Sequence, residues 1–387
     1  MWCPDWHMRM DYIRMPKDNR HYIKQLVKRL SAMTKGNKNS FIGSRPRRLI
    51  GGSYKWSLLL AGLLISGIGS LLARPVIPKM VKIQKVQDAD TLTVAKDGTG
   101  DYTSIQKAIE NTKAYPADRI VIFIKKGIYN EQVRIPAWNP DISLIGENRE
   151  QTVIAYGSYF GQVNKGRNST FYTATLSVEA TGVVLKHLTI ENTAGAVGQA
   201  IALSVSQDQC LVEDCNIQGN QDTFFATGPN THVWLKNCLI SGTTDFLFGD
   251  ATVLVSHSSI LCKADSYIVA ASTIKDQPFG FVLDHCTLLA ATGVKQVFLG
   301  RPWRAFARTV YLNTTMGDFI RPVGWDNWRS KANEATAYYA EYNSHINGGS
   351  SKAVTGQRAS WSHQLSDQEA QKYTPENILG PWINRFL

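Results

Sequence analysis

The sequence predicts an all-β fold, a single-stranded right-handed parallel β-helix with a short N-terminal helix cap and a helical or irregular C-terminal tail. Three observations predict it: six segments share one pattern, they recur every 20 to 28 residues, and polar turns separate them. The unit is too short for a propeller blade and lacks a leucine-rich-repeat consensus. It fits one coil of a solenoid, in which each coil buries its inward side chains on the next.

Each repeated segment has apolar residues, then a polar Asn, Asp or His, a marker residue, one further position and an aliphatic residue. The six markers are Leu188, Cys215, Cys238, Ser258, Cys286 and Thr314. Three cysteines therefore fall in one inward-facing column, where a small apolar side chain packs well. We expect them to be reduced and structural, with a disulfide between neighbouring coils as the alternative.

Regular structure is predicted from residue 91 onwards. Leu92–Ala95 has strand character and precedes a turn rich in Gly and Asp. A short amphipathic helix is expected to begin at Thr103, and Arg119–Ile124 reads as a buried strand. The repeat fades after residue 330, and Asp367–Tyr373 is predicted to form a helix that covers the C-terminal end of the solenoid.

The net charge of +11 is concentrated at the N-terminus. Residues 1–55 contain 13 Lys or Arg against three Asp, so this segment carries +10. The remaining chain is nearly neutral and has no general attraction for polyanions. We therefore expect no nucleic-acid partner.

The segment 56–73 is an uncharged apolar run of 18 residues between Lys55 and Arg74. Its length is near the lower limit for a membrane span, and it also fits a signal peptide with Ala73 at the cleavage point. We expect a basic extension (1–55), a signal peptide or signal anchor (56–73), a linker (74–88) and a β-helix domain (89–387). The domain is then secreted, extracellular or periplasmic, with the membrane touched only through 56–73, and we expect a monomer.

Two carboxylates occupy equal offsets in consecutive repeats. Asp222 follows Cys215 by seven residues, and Asp245 follows Cys238 by seven. Neighbouring strands lie about 4.8 Å apart, so the two acids should be adjacent and their titrations should split. This arrangement suits one nucleophile and one general acid/base. Two solvated aspartates in equivalent turns are the alternative.

Three further features favour a catalytic pair. Gln199 and Gln221 are side-chain amides able to donate to an oxyanion, and Arg301 could hold one carboxylate in a bidentate fork. Aromatic residues occur in the same turns, where sugar rings could stack, although each could equally be a core residue. They are Phe224, Phe225, Phe246, Phe248, Trp303, Trp325 and Trp328.

The blocks GQAIAL, QDTFF, DFLFG and LGRPW occur here in that order, between residues 198 and 303. They resemble the signature blocks of pectin methylesterases (pectinesterases). AKDGTGDYTSIQKAI and GIYNEQV before them, and GWDNW and YYAEY after them, match further family blocks. The resemblance covers about residues 90–385 and looks closer to bacterial-type members.

The resemblance implies that the protein demethylates methyl-esterified homogalacturonan to pectate and methanol, in cell-wall modification or pectin catabolism. Asp245 would be the nucleophile that forms an acyl-enzyme, and Asp222 would be the general acid/base. Gln199 and Gln221 would stabilise the oxyanion, and Arg301 would orient Asp245.

The resemblance also implies a set of substrate-binding residues. They are Thr170, Gln199, Phe225, Arg301, Trp303 and Trp325. QDTFF replaces the QDTLY of many members, so Phe225 is expected to alter subsite preference and not the chemistry. We expect no metal and no cofactor, because a carboxylate nucleophile is already ionised at neutral pH.

Two other functions remain open on the sequence. A polysaccharide hydrolase or lyase could use the same fold, but an inverting hydrolase needs its carboxyl groups roughly 6.5–9.5 Å apart. A non-enzymatic solenoid could bind cell-wall polysaccharide, but it has no use for a nucleophile.

Overall fold

The structure is a computed structural model that describes residues 91–346 and 357–386. Every described residue belongs to the compact unit Lys82–Leu387. The expected segments 1–55, 56–73 and 74–88 therefore lie outside the described residues. Within 91–346 and 357–386, no helix has the length and apolarity needed to cross a membrane.

Three parallel sheets wind around one apolar core, and each full coil adds one strand to sheets A, B and C in turn. The strands of sheet A are Thr91–Val94, Ile120–Ile124, Ile142–Gly146, Val184–Lys186, Cys210–Glu213, His232–Lys236, Thr252–Ser256, Phe281–Asp284, Arg308–Leu312, Tyr338–Tyr342 and His363–Gln364. Those of sheet B are Gly127–Asn130, Thr152–Tyr156, Thr189–Asn192, Asn216–Gln218, Leu239–Gly242, Ser259–Cys262, Thr287–Ala290, Thr315–Met316 and His345–Ile346. Those of sheet C are Val133–Ile135, Leu176–Val178, Leu203–Val205, Phe224–Ala226, Leu247–Gly249, Tyr267–Ala271 and Phe298–Gly300. The predicted parallel β-helix is confirmed.

The register between coils confirms the marker column. Val212 pairs with Leu185 on one side and Leu235 on the other, and the markers follow each of these residues by three positions. The markers are all buried, and none of the five described cysteines forms a disulfide. The Sγ of Cys215 instead donates to the carbonyl of Glu213 at 3.3 Å. The structural interpretation of the cysteines is therefore correct.

The polar position before each marker has a conformational cause. All six residues at this position adopt the left-handed region, with φ between 46° and 54°. They are His187, Asp214, Asn237, His257, His285 and Asn313, and Asn343 repeats the conformation on the next coil with φ of 51°. Asn, Asp and His tolerate this region better than other side chains do. The turn from sheet A to sheet B therefore selects the polar residue of the repeat.

The N-terminal helix spans Ile105–Glu110, two residues later than the sequence predicts. Ser104 caps it by accepting a hydrogen bond from the backbone N–H of Lys107, which fixes the start. The carboxylate of Glu131 accepts from the Ser104 hydroxyl and from the N–H groups of Ile105 and Gln106. This ties the helix to the first coil.

The predicted fading of the repeat after residue 330 is wrong. Tyr338–Tyr342 pairs with Arg308–Leu312 over five residues and continues sheet A. The predicted helix of the tail is present but shorter than Asp367–Tyr373, because it ends at Ala370. The helix at Asp367–Ala370 is followed by another at Pro375–Leu379, which packs on the outer face of sheet A.

The outer face of sheet A explains the course of this tail. Its outward column is apolar along several coils, with Leu211, Trp234 and Leu254 buried in one cluster. Ile378 and Ile383 of the tail complete that cluster. Burial of this apolar surface favours the tail along the side of the solenoid, since an apolar sheet face needs a cover.

A buried ion pair lies at the C-terminal coil. The Glu341 carboxylate is fully buried on Tyr338–Tyr342 and accepts from Arg358 Nε at 2.6 Å. Arg358 also donates to the carbonyls of Arg321 and Pro322, at 3.1 and 3.0 Å. The pair therefore joins this strand of sheet A to the loop that follows Thr315–Met316 of sheet B.

Replacing Arg358 with Ala should lower the free energy of unfolding by about 3–5 kcal/mol, because Glu341 is left buried and unpaired. Urea unfolding followed by circular dichroism measures the change. Arg134→Ala is the matched control, since it removes the exposed pair of Arg134 with Glu179 and should cost about 1 kcal/mol or less. Equal losses in the two variants would contradict the importance of the buried pair.

Candidate active site

The two predicted acids lie next to each other at the start of sheet C. Asp222 and Asp245 both adopt left-handed backbone conformations, with φ of 64° and 50°. Two residues after each acid, Phe224 on one coil pairs with Leu247 on the next. The backbone N–H of Asp222 donates to the carbonyl of Thr244 at 3.0 Å. The two aspartates therefore occupy one column on consecutive coils, whose neighbouring backbones lie about 4.8 Å apart. The predicted stacking is confirmed.

Both acids are buried, with 8% of Asp222 and 6% of Asp245 exposed, so neither is a solvated turn residue. Burial raises the pKa of Asp222 well above its usual range, and the charge of Asp245 raises it further. Burial also raises the pKa of Asp245, but hydrogen bonds from Arg301 oppose that effect. The two environments therefore separate the titrations, with Asp222 holding its proton to the higher pH.

Arg301 makes the predicted fork with one acid. Its Nε donates to Oδ1 of Asp245 at 2.9 Å, and its second terminal nitrogen donates to Oδ2 at 2.6 Å. This bidentate geometry fixes the plane of the Asp245 carboxylate and favours its charged form. The pair also raises the pKa of Arg301 against the opposing effect of its burial.

The two glutamines lie on consecutive coils beside the acids. Gln199 and Gln221 form an isolated parallel bridge, and both are partly buried. The Gln199 carbonyl accepts from the Phe160 N–H at 2.8 Å, and the Gln221 carbonyl accepts from Ala200 at 3.1 Å. These hydrogen bonds fix the backbones of both glutamines. Gln221 is the residue directly before Asp222.

An aromatic row runs across the outer face of sheet C. Phe225 stacks on Phe248 at 4.7 Å, and Phe171 lies 5.0 Å from Phe225 at the other side. Trp303 meets Phe248 edge-on at 6.0 Å. Thr170 is buried in the adjoining 3₁₀ helix, Gly166–Tyr172. Phe225, Trp303 and Thr170 therefore lie along one surface beside the acids.

The aromatic residues of the core are a separate group. Phe224 and Phe246 are fully buried inside the solenoid. Trp325 also belongs to the core, only 2% exposed, with its ring 4.6 Å from that of Tyr339. The structure thus does not place Trp325 at the cleft surface. Trp328, three residues later, packs beside Arg301, with its ring centroid 3.8 Å from the central carbon of the guanidinium.

The family model for pectinesterase matches residues 91–381. The chain belongs to the pectinesterase family. A probable pectinesterase/pectinesterase inhibitor of Brassica napus is 33% identical over 310 residues, 76% of this chain and 52% of that protein. The chain thus spans about half the length of the first of the curated relatives it matches.

Solved pectin methylesterases share the fold. The carrot structure has a TM-score of 0.70 and 30% identity, covering 76% of this chain and 95% of that one. The Erwinia chrysanthemi structure has a TM-score of 0.65 and 27% identity, covering 76% and 97%. These similarities confirm the right-handed parallel β-helix. They do not favour the bacterial members, because the bacterial identity is no higher than the plant one.

Sequence reasoning missed two neighbours of Asp222 and Asp245. Tyr267 follows Asp245 in the same column, because its carbonyl accepts from the Asp245 N–H at 2.9 Å. It does not lie seven residues after the marker Ser258, so the offset that found the acids cannot find it. Asp326 raises the pKa of Asp245 through its charge, and only the loop geometry brings it near.

Among residues 91–346 and 357–386, no group of three or more His, Cys, Asp and Glu side chains lies close enough together to hold a metal ion.

Asp222→Asn should have a higher free energy of unfolding than the parent protein at pH 8, and the difference between the two proteins should be smaller at pH 4. A raised folded-state pKa means that Asp222 stabilises the fold when protonated and loses that contribution as pH rises through the raised value. Urea unfolding at the two pH values measures the gap.

Asp265→Asn is the control of opposite sign. Backbone hydrogen bonds from Lys295 and Gln296 lower the pKa of Asp265, so its stabilisation is present at neutral pH and is lost in acid. This variant should be less stable than the parent at pH 8. A gap for Asp222→Asn that does not grow with pH would contradict the burial effect.

Proposed function

We propose that this protein is a carboxylic ester hydrolase that removes methyl groups from methyl-esterified homogalacturonan, yielding pectate and methanol. The observation that carries the proposal is the pair of stacked, buried acids, of which one alone is held in an arginine fork. Membership of the pectinesterase family supports the substrate class. The role would be cell-wall modification or pectin catabolism.

The fork assigns unequal roles to the acids. Asp245 is the group kept ionised by Arg301, so it acts as the nucleophile and attacks the carbonyl carbon of the methyl ester. Asp222 holds its proton to higher pH, so it acts as the acid. It gives that proton to the departing methoxide, and methanol leaves an acyl-enzyme on Asp245.

The second half of the reaction restores both groups. Asp222, now ionised, takes a proton from water, and the resulting hydroxide attacks the acyl-enzyme. The carboxylate of Asp245 leaves, and the galacturonic acid product loses its proton to solvent and departs as galacturonate. Gln199 and Gln221 are proposed to donate to the oxyanion of each tetrahedral intermediate, because the two residues pair on consecutive coils and Gln221 directly precedes Asp222.

Substrate binding is proposed for the surface beside the acids. The half-buried Trp303 ring offers an apolar face to a sugar ring along the row on sheet C. Phe225 is only 8% exposed between Phe171 and Phe248, so it is proposed to support that surface from beneath. Thr170 adjoins this row from the 3₁₀ helix, and Gln199 and Arg301 would contact the reacting unit as well. Trp325 has no such role in this proposal, because its ring is in the core.

Export is proposed from the segments that precede the domain. We propose that 56–73 is a signal peptide or signal anchor, that 1–55 stays on the cytoplasmic side and that 89–387 is the exported catalytic domain, joined by the linker 74–88. The domain is proposed to act as a monomer outside the cell or in the periplasm, where its polymeric substrate would occur.

Incubation with highly methylated pectin should release methanol while the length of the polymer stays constant. Methanol is measured by an alcohol oxidase assay and chain length by size-exclusion chromatography. Shortened chains would indicate a hydrolase, and unsaturated chain ends would indicate a lyase. Binding of pectin without any of these products would indicate a binding module, and each of these outcomes would reject the esterase.

Asp245→Asn and Asp222→Asn should each lower kcat by roughly 10³-fold or more, because one loses the nucleophile and the other loses the proton donor. Far-ultraviolet circular dichroism should remain that of the parent. Asp276→Asn is the matched control, since this exposed aspartate also has a left-handed backbone conformation. Methanol release at the parental rate by Asp245→Asn would exclude the proposed nucleophile.

A further inference from the structure

The guanidinium group of Arg301 lies between two aromatic rings. The rings of Tyr267 and Trp328 each have their centroid 3.8 Å from its central carbon. A planar guanidinium can stack on both faces while its N–H donors project from the edge. Two of these edge donors bind the two oxygens of Asp245.

The first ring is fixed by sheet C. Tyr267 begins the strand Tyr267–Ala271, and its ring stacks on Phe298 at 5.1 Å with an interplanar angle of 11°. Its backbone carbonyl accepts from the N–H of Asp245. The same residue therefore contacts both partners of the ion pair, Asp245 through its backbone and Arg301 through its ring.

The second ring, that of Trp328, lies on a loop that is held by its own hydrogen bonds. Trp328 has a φ of 57°, a left-handed conformation that is uncommon for a bulky side chain. Its backbone N–H donates to Oδ1 of Asp326 at 2.8 Å, and the side-chain amide of Asn327 donates to the Glu334 carboxylate at 2.7 Å. A backbone held in a sparsely populated region costs free energy, and such positions cluster at functional sites.

We propose that Tyr267 and Trp328 are positioning residues, which hold the Arg301 fork in the plane of the Asp245 carboxylate and so keep that carboxylate charged and aimed. The proposal rests on the proposed function, in which Asp245 is the nucleophile. The rings exclude water from both faces of the guanidinium. Its attraction for Asp245 is therefore screened less than it would be in water.

The Arg301 fork controls the pH dependence of Asp245. Apart from burial, Arg301 lowers the pKa of Asp245 and Asp326 raises it through its charge. Two further groups face the same carboxylate, because the charge of Asp245 raises the pKa of Asp222 and of Tyr339, and Tyr267 acts on Arg301. Burial raises the pKa of Asp245, and the Arg301 fork opposes this effect. A looser fork should therefore raise the pKa of Asp245, and the acid limb of kcat/KM should move to higher pH.

Trp328→Leu should lower kcat by about tenfold, change KM less and move the acid limb of kcat/KM to higher pH. Trp328→Phe keeps a ring and should restore most of the loss. Tyr267→Leu and Tyr267→Phe should behave in the same way. Circular dichroism verifies that each variant is folded, and the Phe variants keep the test valid if a Leu variant does not fold.

Trp138→Leu is the matched control. The Trp138 ring lies 5.6 Å from the guanidinium of Arg134, which binds Glu179 in a fork of the same kind on an exposed surface. Removing this ring should leave kcat and the acid limb unchanged. A parallel shift in this variant would mean that loss of any Trp–Arg contact changes the pH profile, and it would overturn the inference.

A direct titration separates this inference from the proposed function. Carbon-13 NMR of labelled aspartates, with the Asp245 signal assigned through Asp245→Asn, should give a higher pKa for Asp245 in Trp328→Leu than in the parent. An unchanged pKa with only a raised KM would make Trp328 a sugar contact and overturn the proposal. A parent protein that releases no methanol would reject the proposed function, while the titration would still test the positioning.

Discussion

The in-register hydrogen bonding between consecutive coils decides where every candidate functional side chain lies. Val212 pairs with Leu235, and ten residues later Asp222 comes next to Asp245. The same column continues to Tyr267, whose carbonyl receives the Asp245 N–H. A solenoid thus converts equal spacing along the chain into contact in space, because each coil repeats the path of the one before it.

Burial and one ion pair then separate two chemically identical groups. Asp222 and Asp245 are nearly equally buried, yet only Asp245 receives the fork of Arg301. The pKa of Asp222 is therefore raised more than the pKa of Asp245. This difference is what lets neighbouring carboxyl groups serve as an acid and a nucleophile at one pH.

Much of the candidate site could be predicted, because it depends on local patterns. Each acid follows its marker by seven residues, Gln221 directly precedes Asp222, and Gln199 and Arg301 lie in distinct blocks. The prediction failed where no period constrains the chain. Trp325 and Trp328 are three residues apart in one loop, and the sequence does not tell which ring enters the core and which covers Arg301.

The sequence by itself determined the coil repeat, the marker column and the stacking of Asp222 on Asp245, because these follow from spacing along one chain. Only the tertiary structure decided the rings around Arg301, the buried Glu341–Arg358 pair and the course of the tail along sheet A. These contacts join residues whose separation in sequence has no period. They form because apolar faces and buried charges must find partners in the folded chain.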